Sequence, residues 1–266
     1  MIKAIFFDID GTLRDFQTGI IPESARRAVE EAQGEGILCF AATGRHLLEI
    51  EEENLLEGLF LDGLVTLNGQ YCLDREGRLL CHNPIPVSQV QRMLELIEER
   101  PFPCLFMEAR AMYINFVNSQ VIKAQEGIGT AVPPVEDLRR GLERPVYQMV
   151  PYAGPEECDR ILQELPGCRG LRWHDGLAID IVPADGSKES GIARVLSAYG
   201  LTREECAAVG DGYNDLSMIQ WAGLGIAMGN GKPEVRQAAD YVTGAVMEDG
   251  IRQALEYIKS SRHPAG

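Results

Sequence analysis

Short apolar runs that end in small or acidic residues alternate with amphipathic stretches at both ends of this chain. That rhythm constrains the fold more than any other feature. Residues 2–8, containing AIFF, read as a strand. IPESARRAVEEAQGEG reads as a helix: Glu23 or Ser24 lies near its start, Ala25, Ala28, Val29 and Ala32 form its apolar stripe, and Gly34 and Gly36 stop it. ILCFAATGR (37–45) is a second apolar run, LLEIEEENLL a second helix, and DGLVTLNGQ (62–70) holds a third strand. Strand, helix, strand in succession predicts a parallel, Rossmann-like α/β sheet with helices on both faces. Such sheets bind ligands at the carboxyl ends of their strands, the edge on which Asp8, Asp10 and Thr43 would lie.

From about residue 71 the rhythm breaks. YCLDREGRLLCHNPI resembles a hairpin with Gly77 in its turn, VSQVQRMLELIEER is helical, and CLFMEARAMYINF alternates as a second hairpin. VYQMVPYA is a strand, PEECDRILQEL a helix opened by Pro155, and LRWHDGLAIDIVP more strand. Hairpins mixed with two helices indicate an inserted α+β module. Near residue 185 the first rhythm resumes: SKESGIARVLSAYG, NDLSMIQWAG, KPEVRQAAD and GIRQALEYIKSS read as helices, interleaved with strands in CAAVGDG, LGIAMGNG and YVTGAV.

Forty acidic against 25 basic residues give a formal charge of -15, which argues against nucleic acid as a partner because nothing broadly basic could neutralise phosphates. Anionic small molecules stay possible, since a cation and a few basic groups reverse the field locally. The seven cysteines (39, 72, 81, 104, 158, 168 and 206) include no CxxC pair, which fits a reduced, cytoplasmic protein with mostly buried thiols. The N-terminus does not resemble a signal peptide, and no window reaches transmembrane length, so no membrane partner is expected.

Two carboxylates one residue apart, Asp8 and Asp10, close the first apolar run. Alternate residues of a strand point the same way, and paired oxygens there suit a hard divalent cation. Asp10-Gly11 could instead serve only to close a turn. GDGYND (210–215) repeats the pattern after CAAV: Asn214 or Asp215 could be an ordinary helix cap, whereas Asp211 precedes the cap and would be superfluous there. ATGR supplies Thr43, Gly44 and Arg45, a plausible phosphate cradle, and DGSKESG puts Lys188 at a helix start, where a lone lysine is ordinarily solvated. The glycine-rich LGIAMGNGKP is not a phosphate-binding P-loop, because Ile226 stands where a glycine is needed and Pro233 follows Lys232. His46, His82, His174 and His263 show no metal-ligand spacing and read as surface or loop; Trp173 and Trp221 read as packing.

Together these stretches resemble the haloacid dehalogenase-like hydrolase superfamily. FFDIDGT matches its first motif, AATGR is similar to the second with Thr43, Lys188 matches the third, and GDGYND the fourth, in the right order across the whole chain. The ATGR, NGQ and GDGYND wording is most similar to the Cof-type sugar-phosphate phosphatases. One departure is His46, where relatives often carry proline. The resemblance implies a discontinuous catalytic core, residues 1–82 and 184–266, and a type C2 cap over 83–183. It implies Asp8 as nucleophile and Asp10 as acid and base. Mg²⁺ would be held by Asp8, the Asp10 carbonyl and Asp211, supported by Asn214 and Asp215. Thr43 and Lys188 would hold the transferring phosphoryl group, with Gly44, Arg45 and Asn214 on the substrate. An acid at position 10 points to phosphoryl transfer, since the dehalogenases need none there. The implied activity is hydrolysis of small phosphorylated metabolites, sugar phosphates foremost, by a monomer or homodimer. A phosphomutase using the same aspartyl-phosphate, and a non-enzymatic metabolite sensor, are the other readings. A receiver-type regulator is too short and has no insert. Glu108, Arg110, Asn115 and His174 lie near strand or hairpin ends of the insert, and none is assigned a role.

Overall fold

The structure, a computed structural model, describes residues 1–173 and 175–261; His174 and His263 lie outside them. The chain forms two compact units. Among the described residues, one comprises 1–45, 50–82 and 187–261, the other 46–49, 83–173 and 175–186.

In the first unit, β1 (Ala4–Phe7), α1 (Glu23–Gly34), β2 (Leu38–Ala42), α2 (Leu47–Glu52, whose first turn falls in the second unit), β3 (Gly63–Thr66), β4 (Tyr71–Asp74) and β5 (Leu79–His82) come first. The second unit contributes α3 (Val87–Glu99), β6 (Cys104–Met107), β7 (Met112–Ile114), α4 (Ser119–Ile128), β8 (Gln148–Pro151), α5 (Pro155–Gln163), β9 (Cys168–Arg172) and β10 (Ile179–Pro183). The first unit resumes with α6 (Lys188–Tyr199), β11 (Cys206–Gly210), α7 (Leu216–Trp221), β12 (Leu224–Ala227), α8 (Pro233–Ala238), β13 (Tyr241–Val242) and α9 (Gly250–Ser260).

The first sheet has eight strands in the order β13-β12-β11-β1-β2-β3-β4-β5. β1 is central and pairs in parallel with β11 and β2. It is apolar on both faces, as a strand covered on both sides must be. Ile5 and Phe7 pack into one cluster with Val29, Ala32, Ile251 and Leu255 from α1 and α9. Ala4 and Phe6 pack into the opposite cluster with Ile192, Val195 and Met218 from α6 and α7. The hairpin beginning at residue 71, which periodicity groups with the insert and the family resemblance places in the core, belongs to this sheet: β4 pairs antiparallel with β3 and β5 with β4. Cys72 and Leu73 are buried there, and the hairpin covers an edge that β3 would otherwise leave open.

The second unit is an antiparallel five-stranded sheet, β7-β6-β8-β10-β9, with α3, α4 and α5. Its own core includes Met93, Phe106, Tyr113, Met149, Ile161 and Ile181. The sequence reading gives this module two helices; α4 is a third. Its buried face is only Val121, Ala124 and Gln125, too narrow to show as periodicity, and the clearer signals are its Asn118 cap and the left-handed Gly129 that ends it. His46 is not a surface residue: it is fully buried. Its Nδ1 accepts the Leu48 N–H at 3.0 Å and its Nε2 lies 2.6 Å from the Glu108 carbonyl oxygen, so the ring proton sits on Nε2. Glu108 is buried as well, gripped by Arg140 at 2.8 and 3.0 Å and by the Tyr113 hydroxyl at 2.9 Å. Asn115 serves the backbone, accepting from Cys104 N–H and donating to the Phe102 carbonyl. No helix among the described residues is long and apolar enough to cross a membrane.

Candidate active site

The carboxyl ends of β1, β2 and β11 lie side by side, and each delivers polar residues to one edge of the first sheet. Asp8 continues β1 by one residue, its N–H donating to the Val209 carbonyl at 2.9 Å. The chain then turns back on itself: Leu13 N–H returns to the Asp8 carbonyl and Arg14 N–H to that of Ile9. Gly11 makes this turn possible. Its φ is +83°, and a Cβ there would stand 2.5 Å from Oδ2 of Asp211. Thr12 Oγ1 donates to the other Asp211 oxygen at 3.2 Å.

Lys188 opens α6, where a cation opposes the helix dipole. Two carboxylates offset that cost: Nζ lies 2.6 Å from Oδ1 of Asp8 and 2.6 Å from Oδ1 of Asp215. Ser187 and Ser190 cap the helix reciprocally and hold this first turn. Asp215 does not cap its own helix. Its second oxygen accepts the N–H groups of Asp211 (2.9 Å) and Gly212 (2.8 Å), which shapes the 211–215 loop around it.

Asp8, Asp211 and Asp215 present oxygens that all lie within 4.8 Å of one another. Three carboxylates therefore face one ammonium. Burial pushes the Asp8 carboxyl well above its usual range; Lys188 pulls it down, while Asp215 and Asp211 push it up again. Burial likewise raises Asp211 to about 7, aided by Asp215 and opposed by Lys188 and Thr12. Burial alone would lower the Lys188 ammonium, but the carboxylates of Asp215 and Asp8 raise it. Among the described residues, Oδ2 of Asp8 and Oδ2 of Asp211 accept no hydrogen bond, whereas both oxygens of Asp215 are engaged. Excess negative charge and unengaged hard oxygens suit a divalent cation such as Mg²⁺.

The Asp10 carboxylate is not in this cluster; it takes Arg45 Nε at 2.7 Å and Arg14 Nη1 at 3.3 Å. Thr43 is buried, and its Oγ1 accepts the Arg45 N–H at 3.1 Å. Gly44 lies against the amide of Asn68. Asn214 turns its amide to Asn68 Oδ1 at 3.2 Å. Sequence reasoning missed Arg14, Thr12, Asn68 and Asn230. Asn68 sits in a turn with φ +54°, and the next residue, Gly69, packs so tightly on α6 that a Cβ would meet the Ser187 carbonyl oxygen at 2.1 Å. The NGQ triplet was the available signal. Asn230 comes from the glycine-rich stretch that is no P-loop: its Nδ2 donates to the Gly11 carbonyl at 2.8 Å, and Lys232 N–H donates to that of Asp211 at 2.9 Å, so the stretch buttresses both acidic loops.

A largely parallel sheet thus gathers three carboxylates and a buried lysine at its strand ends, and comparison with known proteins gives the class to which that site belongs. The profile of the haloacid dehalogenase-like hydrolases matches residues 5–255. The chain belongs to that family, and it is one of its phosphatases. It is 36% identical to YkrA of Bacillus subtilis (strain 168) over 258 residues, 96% of each chain. Among solved structures it is similar to BT1666, a phosphatase of the superfamily from Bacteroides thetaiotaomicron, with 31% identity, a TM-score of 0.89, and 97% and 96% of the two chains covered. The subclass IIB sugar phosphatase BT4131 is 35% identical with a TM-score of 0.83, over 97% of this chain and 99% of that one.

Proposed function

We propose that this phosphatase hydrolyses small phosphorylated metabolites, sugar phosphates foremost, with Mg²⁺ at the Asp8–Asp211 cluster and through an aspartyl-phosphate on Asp8. The observation that carries the reading is the buried contact of Lys188 with Asp8 at 2.6 Å, a cation fixed beside the nucleophile where phosphoryl charge must be stabilised. The likeness to BT4131, described as a sugar phosphatase, supports the substrate class.

In this reading Asp8 and Asp211 would hold Mg²⁺ with the Asp10 carbonyl, supported by Asn214. When bound, the cation supplies positive charge to the phosphoryl oxygens. One oxygen of the Asp8 carboxylate attacks phosphorus, and the phosphorus–oxygen bond to the alcohol breaks. Asp10 gives its proton to the departing alkoxide, then takes one from the water that cleaves the aspartyl-phosphate. Arg45 and Arg14 orient the Asp10 carboxylate between those steps. The Thr43 hydroxyl accepts from Arg45 N–H and so keeps its own hydrogen to donate to a phosphoryl oxygen. Lys188 neutralises the same group, and Asp215, both of whose oxygens are engaged, positions Lys188 and the Asp211 loop. Gly44 and Arg45 complete the phosphate side. The insert, residues 83–183 in the sequence reading, is assigned as a type C2 cap and as the seat of substrate choice.

The test is phosphate release from a panel of phosphorylated sugars and other metabolites, with and without Mg²⁺, by the native chain and by Asp8→Asn. Release that needs Mg²⁺ and vanishes in Asp8→Asn is the expected result. Full turnover by Asp8→Asn, or transfer of the phosphoryl group to a second sugar rather than water, overturns the reading.

A further inference from the structure

Cys72 and Cys81 stand directly opposite each other on β4 and β5, as a register pair of an antiparallel hairpin. Residues so paired hold their Cα atoms about 4.5–5.5 Å apart, inside the range of roughly 4.4–6.8 Å that a disulfide spans. Both thiols are free. β5 is the last strand of its sheet, so Cys81 is half-buried at an edge while Cys72 is fully enclosed behind it. We propose that Cys72 and Cys81 are a reversible dithiol–disulfide pair, oxidised by hydrogen peroxide, built into the edge hairpin of the first sheet.

Cys81 is the attacking thiol. The neighbouring Cys72 S–H favours its thiolate, and although burial works against it, the Arg194 guanidinium adds to the effect; the net shift is downward. The other thiols move the opposite way. Burial pushes Cys39 and Cys168 up to about 12 and Cys206 to about 11, and raises Cys104 and Cys158. Thiolates, not thiols, react with peroxide, so Cys81 is oxidised first.

Cys81 sulfur attacks one peroxide oxygen, the O–O bond breaks, and the departing hydroxide takes up a proton to leave as water. This leaves a sulfenic acid on Cys81. The Cys72 sulfur then attacks the Cys81 sulfur, the S–O bond breaks, and the hydroxide departs as a second water with the Cys72 proton. Two thiols thus supply the two electrons that reduce one peroxide. The pair adjoins the Asn68–Gln70 turn: Cys72 Sγ lies 3.8 Å from the Gly69 carbonyl oxygen and 4.0 Å from that of Gly191.

The experiment is peroxide titration of the full chain, followed by thiol counting in denaturant and peptide mapping. Two of the seven thiols disappear, and a linked Cys72–Cys81 peptide forms. That peptide is about 2 Da lighter than its two parts, and dithiothreitol restores both thiols. Cys81→Ser forms no link; Cys72→Ala stops at a Cys81 sulfenic acid that dimedone traps. Should Cys72→Ala not fold, Cys81→Ser, at a half-exposed position, carries the test. The proposal fails if another cysteine is consumed before Cys81, or if native Cys81 proceeds to the sulfinic acid while Cys72 stays reduced. Neither readout depends on phosphatase activity.

Discussion

Lys188 and Asp215 meet with Nζ 2.6 Å from Oδ1, and neither side chain reaches solvent. A buried ion pair is costly to assemble but costlier to break, because the survivor is left charged in a poor solvent. Asp215→Ala would also orphan the N–H groups of Asp211 and Gly212. Lys188 keeps Asp8 at 2.6 Å, so we expect a loss of about 3 kcal/mol, the low end for a broken buried pair, measured by urea unfolding. A loss below about 1 kcal/mol would mean that water replaces the carboxylate and that the pair is not structural.

Gly11→Ala tests the close approach of the two acidic loops. A side chain at φ +83° with its Cβ 2.5 Å from Asp211 must displace one of them. The backbone strain alone costs about 1–2 kcal/mol. The larger effect falls on function: kcat/KM for phosphate release drops more than about tenfold, and more Mg²⁺ is needed for half-maximal rate, since a small misplacement of reacting groups is costly. Unchanged Mg²⁺ dependence would show that Asp211 holds no cation.

Protonation and cation binding compete at the cluster. The Asp211 carboxyl moves from 3.8 to about 7 on folding, chiefly through burial. Between those values the folded protein holds a proton that the unfolded chain has lost. Metal-free stability from this group therefore falls as pH rises through that window and falls no further above about 7. Mg²⁺ binds the ionised form, so its stabilising effect should be larger at about pH 8 than at about pH 5. Thermal unfolding in EDTA and in Mg²⁺ at both pH values measures this, and an equal or greater Mg²⁺ effect at the acidic value contradicts the assignment.

Glu108→Ala probes the second unit. The carboxylate is buried and held by Arg140 at 2.8 and 3.0 Å and by Tyr113 at 2.9 Å. Its removal leaves the phenol and part of the guanidinium without an acceptor. A loss of about 3 kcal/mol in urea unfolding is expected, at the lower end for a broken buried pair because Arg140 is partly exposed. Glu108→Gln, which retains an acceptor, should lose less; equal losses would assign the effect to packing.

The sequence by itself determined the layered α/β architecture. Its signals are local: AIFF is apolar on both faces because Ala4 and Phe6 bury on one side and Ile5 and Phe7 on the other, and the acids following AIFF and CAAV necessarily fall at strand ends. Chain order and short apolar runs carry that information without any distant contact. Only the tertiary structure decided which charges pair. Asp10 meets Arg45 across 35 residues and Asp8 meets Lys188 across 180, separations that no periodicity encodes. The hairpin at residue 71 joins the first sheet because β3 offers an open edge, and His46 is buried because the Leu48 N–H and the Glu108 carbonyl are there to satisfy its ring. A polar side chain is buried where partners are assembled for it, and that assembly is a property of the whole fold.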